Sequence, residues 1–381
     1  MMQKVRVLHV FGRMNRGGAE TLIMNVFRNI DREKFQFDFL VHSKEEGHYD
    51  QEIKELGGTI YSVPHPRENI LQYRKELKKI LREKGPYDVI HSHIFAFSGY
   101  VLKIAKEEGI PIRIAHSHNT QDGHSSGILR NMYRSYMRKL ILKNATNLLG
   151  CSKEACRVLF GPECLKNSNV QVLRNGIDLE IFEKIEKGVY LNLRDALRLD
   201  SKAKLIGHVG SFTNQKNHCR LIKIFSLLCD EMDNVHLVLV GDGPLKNKIS
   251  DLIKHYGIED KVHMLGVRSD VPEILANLDL FLFPSLYEGL GLVLVEAQAV
   301  GLRCISSSAV PSEVDIGAGL VEFIDLELDD YIWVKKIKQE LINNSNISLR
   351  SEEIKEAGYD IREVVQNLNC IYKSPMRHQT I

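Results

Sequence analysis

Short β-branched runs alternate with amphipathic stretches along most of this chain, and the alternation pauses once and restarts. KVRVLHV (4–10), FQFDFLV (35–41), TIYSV (59–63), YDVIHSH (87–93), IRIAHSH (112–118) and ATNLLGCS (145–152) read as strands. GGAETLIMNVFRNI (17–30) and ILQYRKELKKILREKG (70–85) between them have helical spacing. The pattern pauses around VQVLRNGIDLEIFEK (170–184), where Asn175-Gly176 signals a turn. It resumes with KLIGHVG (204–210), VHLVLVG (235–241), KVHMLG (261–266), LDLFLFP (278–284), RCISSS (303–308) and GLVEFI (319–324). Strands spaced by helices demand a parallel sheet wound by right-handed crossovers. Two such series predict two doubly wound α/β domains in tandem, with a hinge between about 175 and 200. The boundaries are set at 1–180 and 181–359, and a C-terminal helix over 360–375 is expected to fold back on the first domain.

The totals agree with a soluble, two-domain protein. At 381 residues the chain exceeds one ordinary core, and 44% apolar with 26% charged residues is a globular composition. No apolar run approaches the ~20 residues that span a bilayer. MMQKVRVLHVFG enters a strand at once, without the apolar core of a secretory leader. Seven cysteines without a CxxC pair favour reduced thiols over a disulfide frame or a zinc site. These features predict a cytoplasmic protein. A net charge of +2 argues against nucleic-acid binding. Residues 1–185 carry 29 Lys+Arg against 21 Asp+Glu, and the remainder 22 against 28, so the halves differ in electrostatic character.

In open parallel sheets ligands sit beyond the carboxyl ends of the strands, so chemistry is expected in the turns after strands, facing a cleft between the domains. GRMNRGGAET (12–21) follows the first strand, and Gly17-Gly18 opens a helix whose amides suit an anion or a close-lying sugar. It is neither a GxGxxG fingerprint nor a Walker loop. HSHIF and HSHNT end two strands. Each pair, His91 with His93 and His116 with His118, falls on one face, with His93 and His118 nearer the loops. Substrate contacts, a metal site and purely structural histidines are all open readings of these pairs. In HVGSFTNQKNH (208–218), Lys216 precedes a helix and can neutralise a phosphate. VGDGPL (240–245) is a tight turn, and backbone groups at Val267 and Arg268 could hold a flat base. In PSLYEGLGLVLVEAQAVGL (284–302), Gly289 and Gly291 allow close approach, and the amides of Leu292 and Val293 open a helix for a diphosphate. Glu296 then suits a ribose diol, and Glu288 the far end of a nucleotide sugar.

GGAE, HSHN, NGID, QKN, GDGPL and above all EGLGLVLVEAQAVG occur here in the order of the family 4 retaining glycosyltransferases, which the chain resembles over nearly its whole length. The resemblance implies the GT-B architecture, two Rossmann-like domains flanking an interdomain cleft. It also implies transfer from a nucleotide sugar, with a UDP-sugar as the expected donor and no metal or other cofactor. It places Gly18 near donor phosphate or acceptor, His118 on the transferring sugar, Lys216 on the diphosphate, Glu288 on sugar hydroxyls, Leu292 and Val293 amides on phosphate and Glu296 on ribose. His93 and His116 are assigned to the acceptor side. Where the family often has arginine after the glycine of the VG turn, this chain has Ser211, which brings no charge. Lys216 would then act alone, or Arg13, Arg16 or Arg268 would substitute.

The expected activity is retaining transfer to a saccharide or lipid-linked saccharide in exopolysaccharide or capsule assembly. A nucleotide-sugar epimerase or phosphorylase of the same architecture, or a non-catalytic sugar-nucleotide-binding protein, is the alternative. GILRNMYRSYMRKLILKNA (127–145) has Arg130, Arg134, Arg138, Lys139 and Lys143 and no acid, which predicts peripheral contact with an anionic membrane on its inner face.

Overall fold

The computed structural model describes residues 4–121, 127–186, 192–342 and 348–373. Residues 187–191 of the expected hinge and 374–375 of the expected last helix lie outside the described residues. The chain divides into two compact units, 1–177 with 360–381, and 178–359.

The first unit holds seven parallel strands: β1 (Val5–Phe11), β2 (Phe35–Val41), β3 (Thr59–Ser62), β4 (Val89–Ser92), β5 (Ile112–Ser117), β6 (Asn147–Gly150) and β7 (Val170–Val172). Their order in the sheet is β3-β2-β1-β4-β5-β6-β7. The chain winds outward from β1 to one edge, then crosses to β4 and winds to the other. β7 falls where the sequence pattern pauses. It has three residues, pairs only with β6 and exposes Gln171, so it lacks the long apolar run that marks a central strand.

Alternation along the strands separates two cores. Val7, Phe11, Phe37, Val89, Ile114 and Leu149 face the helix Gly18–Asn29. Leu8, Val10, Ile90, Ala115 and Leu148 face the opposite helix layer, with Tyr73, Leu77, Val101 and Leu102. The C-terminal helix Ile361–Lys373 joins the first of these cores through Ile361, Val364, Leu368 and Tyr372. Its entry is pinned by a parallel bridge between Ile177 and Asp360, and Ile361 donates its N–H to Ile177 O at 3.0 Å.

The second unit has β8 (Lys204–Val209), β9 (Val235–Val240), β10 (Val262–Gly266), β11 (Leu280–Phe283), β12 (Cys304–Ser307) and β13 (Val321–Ile324). They are ordered β10-β9-β8-β11-β12-β13, again reversing direction of winding once. Each unit therefore has one topological switch point, between β1 and β4 and between β8 and β11. The carboxyl ends of the strands at such a point splay their following loops apart, which leaves a crevice for a ligand.

Candidate active site

At the switch point of the second unit, the loop after β8 and the loop after β11 are stitched together. The 3₁₀ turn Asn214–Lys216 ends at Asn217, whose φ of 56° lies in the left-handed region. Leu286 N–H donates to Gln215 O at 2.8 Å, and Asn217 Nδ2 donates to Pro284 O at 3.1 Å. These bonds bring Lys216 Nζ within 2.6 Å of Glu288 Oε1, and Gln215 Nε2 within 3.1 Å of Glu288 Oε2. Both charged side chains are largely shielded, 15% and 7% exposed, so the pair is held in a medium where an unpaired partner would be costly. The lysine stem crosses Gly210, where a Cβ would sit 3.0 Å from Lys216 Cε, and its ammonium lies 4.7 Å from the centre of the Phe283 ring. Sequence spacing gave no sign that Lys216 and Glu288 meet, or that Gln215 joins them.

Immediately after Glu288, Gly291 caps the helix Leu292–Ala299 with a φ of 92°, a conformation that a side chain would strain. Leu294 N–H already donates to Gly291 O at 2.8 Å, so the amides of Leu292 and Val293 are those at the positive end of the helix dipole. Gly289 is buried in the turn. Glu296 lies one turn further along, and burial pushes its carboxyl up to about 7. Ser211 is exposed at the mouth of the β8 loop, while Val267 is exposed at the end of β10. Arg268 is engaged by Asp270, with Nε 2.8 Å from Oδ1. Arg13 is held by Glu45 at 2.5 Å, and the guanidinium of Arg16 lies 5.5 Å from the centre of the Tyr49 ring.

In the first unit, Gly17 caps the helix Gly18–Asn29, and the Glu20 carboxylate folds back over it, 2.5 Å from where a Cβ on Gly17 would be. Desolvation there raises Glu20 to about 7. A Cβ on Gly18 would meet nothing within 4 Å, so packing among the described residues does not demand this glycine. Small size leaves the helix start open.

Beside it, on the same sheet face, lie five histidines rather than the four in the two His-x-His pairs. Register sets His9 of β1 opposite His91 of β4. His9 Nδ1 is 3.1 Å from His93 Nε2, His93 Nδ1 is 2.8 Å from His118 Nε2, and His91 Nε2 is 3.2 Å from His116 Nδ1. His91 Nδ1 also meets Tyr372 Oη of the C-terminal helix at 2.8 Å. Burial lowers His9 and His118 to about 3 and holds His91, His93 and His116 well below the imidazole range, so the cluster is neutral at pH 7. Two triads, His9/His91/His93 and His93/His116/His118, have ligand atoms within 4.8 Å of one another and could share a metal ion. In this structure most of those nitrogens bond to one another. His9 was legible only once β1 and β4 were known to be neighbours, and Tyr372 carried no signal at all.

The family model described as "Glycosyltransferase Family 4" matches residues 16–181, which include Gly18 and the histidine cluster from His91 to His118. "Glycosyl transferases group 1" matches 190–321, which include Lys216, Glu288 and Glu296. EpsF of Bacillus subtilis (strain 168), named as a glycosyltransferase, is 37% identical over 370 residues, covering 96% of each chain. This chain belongs to glycosyltransferase family 4.

Other relatives of this glycosyltransferase extend the comparison. The capsular polysaccharide biosynthesis glycosyltransferase CapH of Staphylococcus aureus is 27% identical over 97% of this chain and 99% of its own. An Escherichia coli enzyme, UDP-Gal:alpha-D-GlcNAc-diphosphoundecaprenol alpha-1,3-galactosyltransferase, is 27% identical over 94% and 97%. Among solved structures, Anabaena HepE in complex with UDP-glucose superposes with a TM-score of 0.75 at 17% identity, covering 96% of this chain and 98% of that one. That likeness shows the fold: two Rossmann-like parallel-sheet domains in tandem, the GT-B architecture of this family 4 glycosyltransferase.

Proposed function

We propose that this glycosyltransferase moves a hexosyl group from a UDP-sugar to a saccharide or lipid-linked saccharide acceptor in surface polysaccharide assembly, with retention and without a metal. The names of CapH and of the E. coli galactosyltransferase support the pathway class and the acceptor, and the UDP-glucose complex of HepE supports the donor. The observation that carries the reading is the Lys216–Glu288 pair beside the start of the helix Leu292–Ala299. Donor binding exchanges partners. Lys216 leaves Glu288 for the diphosphate, and Glu288 turns to sugar hydroxyls that donate to it. Each ion thus keeps a partner, so the site need not bury an unpaired charge.

Negative charge grows on the leaving diphosphate as the anomeric bond breaks. Lys216 and the amides of Leu292 and Val293 stabilise it, and removal of such a donor costs roughly 3 kcal/mol of transition-state stabilisation. Ser211 contributes a hydroxyl in place of a cation, so Lys216 is the charged group of the β8 loop. Glu296 accepts from the ribose diol, and Val267 and Arg268 hold the base. Gly18 leaves the start of its helix open to donor phosphate or acceptor. His118 contacts the sugar as a neutral hydrogen-bonding group, with His93 and His116 on the acceptor side. Burial disfavours the imidazolium form of these histidines and makes them weak bases, so on this reading the acceptor's proton passes to the departing phosphate in a front-face attack.

The test is product analysis with UDP-sugars and lipid-linked or free saccharides. The expected result is an acceptor-dependent glycoside of retained configuration, insensitive to EDTA, and at least about a hundredfold slower with Glu288→Ala or Glu296→Ala. An isomerised nucleotide sugar formed without acceptor would establish the epimerase instead.

The helix Ile128–Asn144 supports a membrane surface as a further partner. No described helix is long and apolar enough to cross a membrane. Ile128, Leu129, Met132 and Tyr136 are 82%, 83%, 63% and 55% exposed. At 3.6 residues per turn they share one face with exposed Lys139 and Lys143. Arg138 is used otherwise, donating to Leu159 O and Val158 O. Apolar side chains with flanking lysines on one helix face suit the interface of an anionic bilayer.

A further inference from the structure

His93 and His118 stand just past the ends of the neighbouring strands β4 and β5, with ring centroids 5.0 Å apart. His116 adds a third ring, 5.5 Å from His93 and 3.9 Å from His118. One nitrogen from each of the three lies within 4.8 Å of the others. Two nitrogens that share a tetrahedral zinc ion at roughly 2.0–2.1 Å stand roughly 3.3 Å apart. His93 Nδ1 and His118 Nε2 are 2.8 Å apart. An opening of about half an ångström therefore exchanges one neutral hydrogen bond for two metal–nitrogen bonds. A neutral imidazole presents its lone pair on either nitrogen, so the site does not depend on how the protons are ordered beforehand.

The donor set selects the ion. Imidazole nitrogens suit zinc, nickel and copper, whereas magnesium and calcium take oxygens, and neither histidine triad among the described residues includes a carboxylate. The surroundings already steer two of the rings, as the far nitrogen of a metal-bound histidine needs. His93 Nε2 meets His9 Nδ1 at 3.1 Å, and His116 Nδ1 meets His91 Nε2 at 3.2 Å, with Tyr372 Oη behind it at 2.8 Å from His91 Nδ1. His118 Nδ1 and His116 Nε2 are buried with no hydrogen-bond partner among the described residues, a state that calls for a further group such as a water or an ion. The approach is from the strand ends. His93 and His118 are partly exposed while His9, His91 and His116 are buried, so an ion from solvent meets His93, His116 and His118 before the inner triad of His9, His91 and His93.

We propose that His93, His116 and His118 form a binding site for a divalent ion of the zinc class, with solvent as the fourth ligand, and that the bound ion inhibits transfer by tying up all three histidines. The inhibition rests on the reading of His118 as a sugar contact and of His93 and His116 as acceptor-side residues. The binding does not. Transfer itself uses no ion on that reading, so zinc acts as a regulator, and a chelator restores activity to the zinc-loaded protein.

The experiment uses the full chain without an affinity tag, stripped with EDTA. Zinc is titrated by calorimetry, cobalt(II) is added as a visible probe of coordination, and turnover is followed on a UDP-sugar donor with and without zinc. The expected results are one zinc bound per chain, an intense four-coordinate cobalt spectrum without a sulfur charge-transfer band, and inhibition by zinc that EDTA reverses and magnesium does not reproduce. His118→Gln is expected to weaken zinc binding by at least about a hundredfold, more than the loss of an outer-shell partner. No zinc binding by wild type overturns the site. So does a six-coordinate cobalt spectrum, a sulfur charge-transfer band that puts the ion on cysteine, or unchanged zinc affinity in His118→Gln. The wild-type spectrum decides this even if the variant does not fold. Full turnover by the zinc-loaded wild type overturns the inhibition and the sugar-contact reading on which it rests, and leaves the site itself standing.

Discussion

Glu296 is asked to accept two hydroxyls, yet burial raises its carboxyl to about 7. Two consequences have opposite signs. A carboxyl whose folded pKa is raised binds its proton more tightly in the folded state, so its contribution to stability is full below the unfolded value near 4.3 and is lost as pH rises towards 7. If Glu296 holds the donor ribose as proposed, binding needs the ionised form, so affinity gains as pH rises through the same value. Titration calorimetry with UDP from pH 8 to pH 6 should show affinity falling on acidification, and Glu296→Gln should flatten that dependence while weakening binding throughout. An unchanged slope in the variant would assign the dependence elsewhere, with Glu20 the first alternative. The histidines should contribute no inflection near 6.5, because desolvation keeps them neutral. The placement of Lys216, Glu288 and the His-x-His pairs at strand ends and in the turns that follow was legible from the strand–turn pattern. Their partners were not. Gln215 and His9 acquire roles only from loops and strands that are distant in sequence, and no local period encodes such proximity.

At the scale of elements, both sheets were legible because every central strand is a short apolar run that ends in a turn. β7 was not, since three residues with Gln171 outward carry almost no periodic signal. The helix Leu292–Ala299 is the short element to which the proposed function gives the diphosphate. It has no side-chain cap, and Gly291 sets its start through a φ of 92°. Gly291→Ala forces a Cβ into the left-handed region, at a cost of roughly 1–2 kcal/mol, and shifts the amides of Leu292 and Val293. Urea denaturation should show that loss, and UDP affinity should fall by more than in a control variant such as Gly257→Ala, before the amino end of β10, where φ is also positive at 64°. Equal UDP affinity in Gly291→Ala and wild type would remove the helix start from the donor site.

On the scale of the whole chain, the proposed function divides the work between the two units. The second carries the Lys216–Glu288 pair and Glu296, which that reading assigns to the donor. The first carries the neutral histidine cluster, the basic excess and the exposed face of the helix Ile128–Asn144. Liposome flotation tests that face directly. The protein should float with anionic vesicles at low salt and lose binding as salt screens the lysines. Ile128→Ser/Leu129→Ser should abolish flotation without changing turnover on a soluble acceptor. No flotation by wild type at low salt would end the membrane reading and leave the enzyme unaffected.

The central claim is that the ion pair at the second switch point is the donor diphosphate site. UDP titrated into wild type and Lys216→Ala, each checked for a cooperative unfolding transition, tests it most directly. The account predicts saturable binding to wild type and a loss of at least about tenfold in Lys216→Ala, as removal of a buried charge-assisted contact requires. Equal UDP affinity in the two proteins would contradict it.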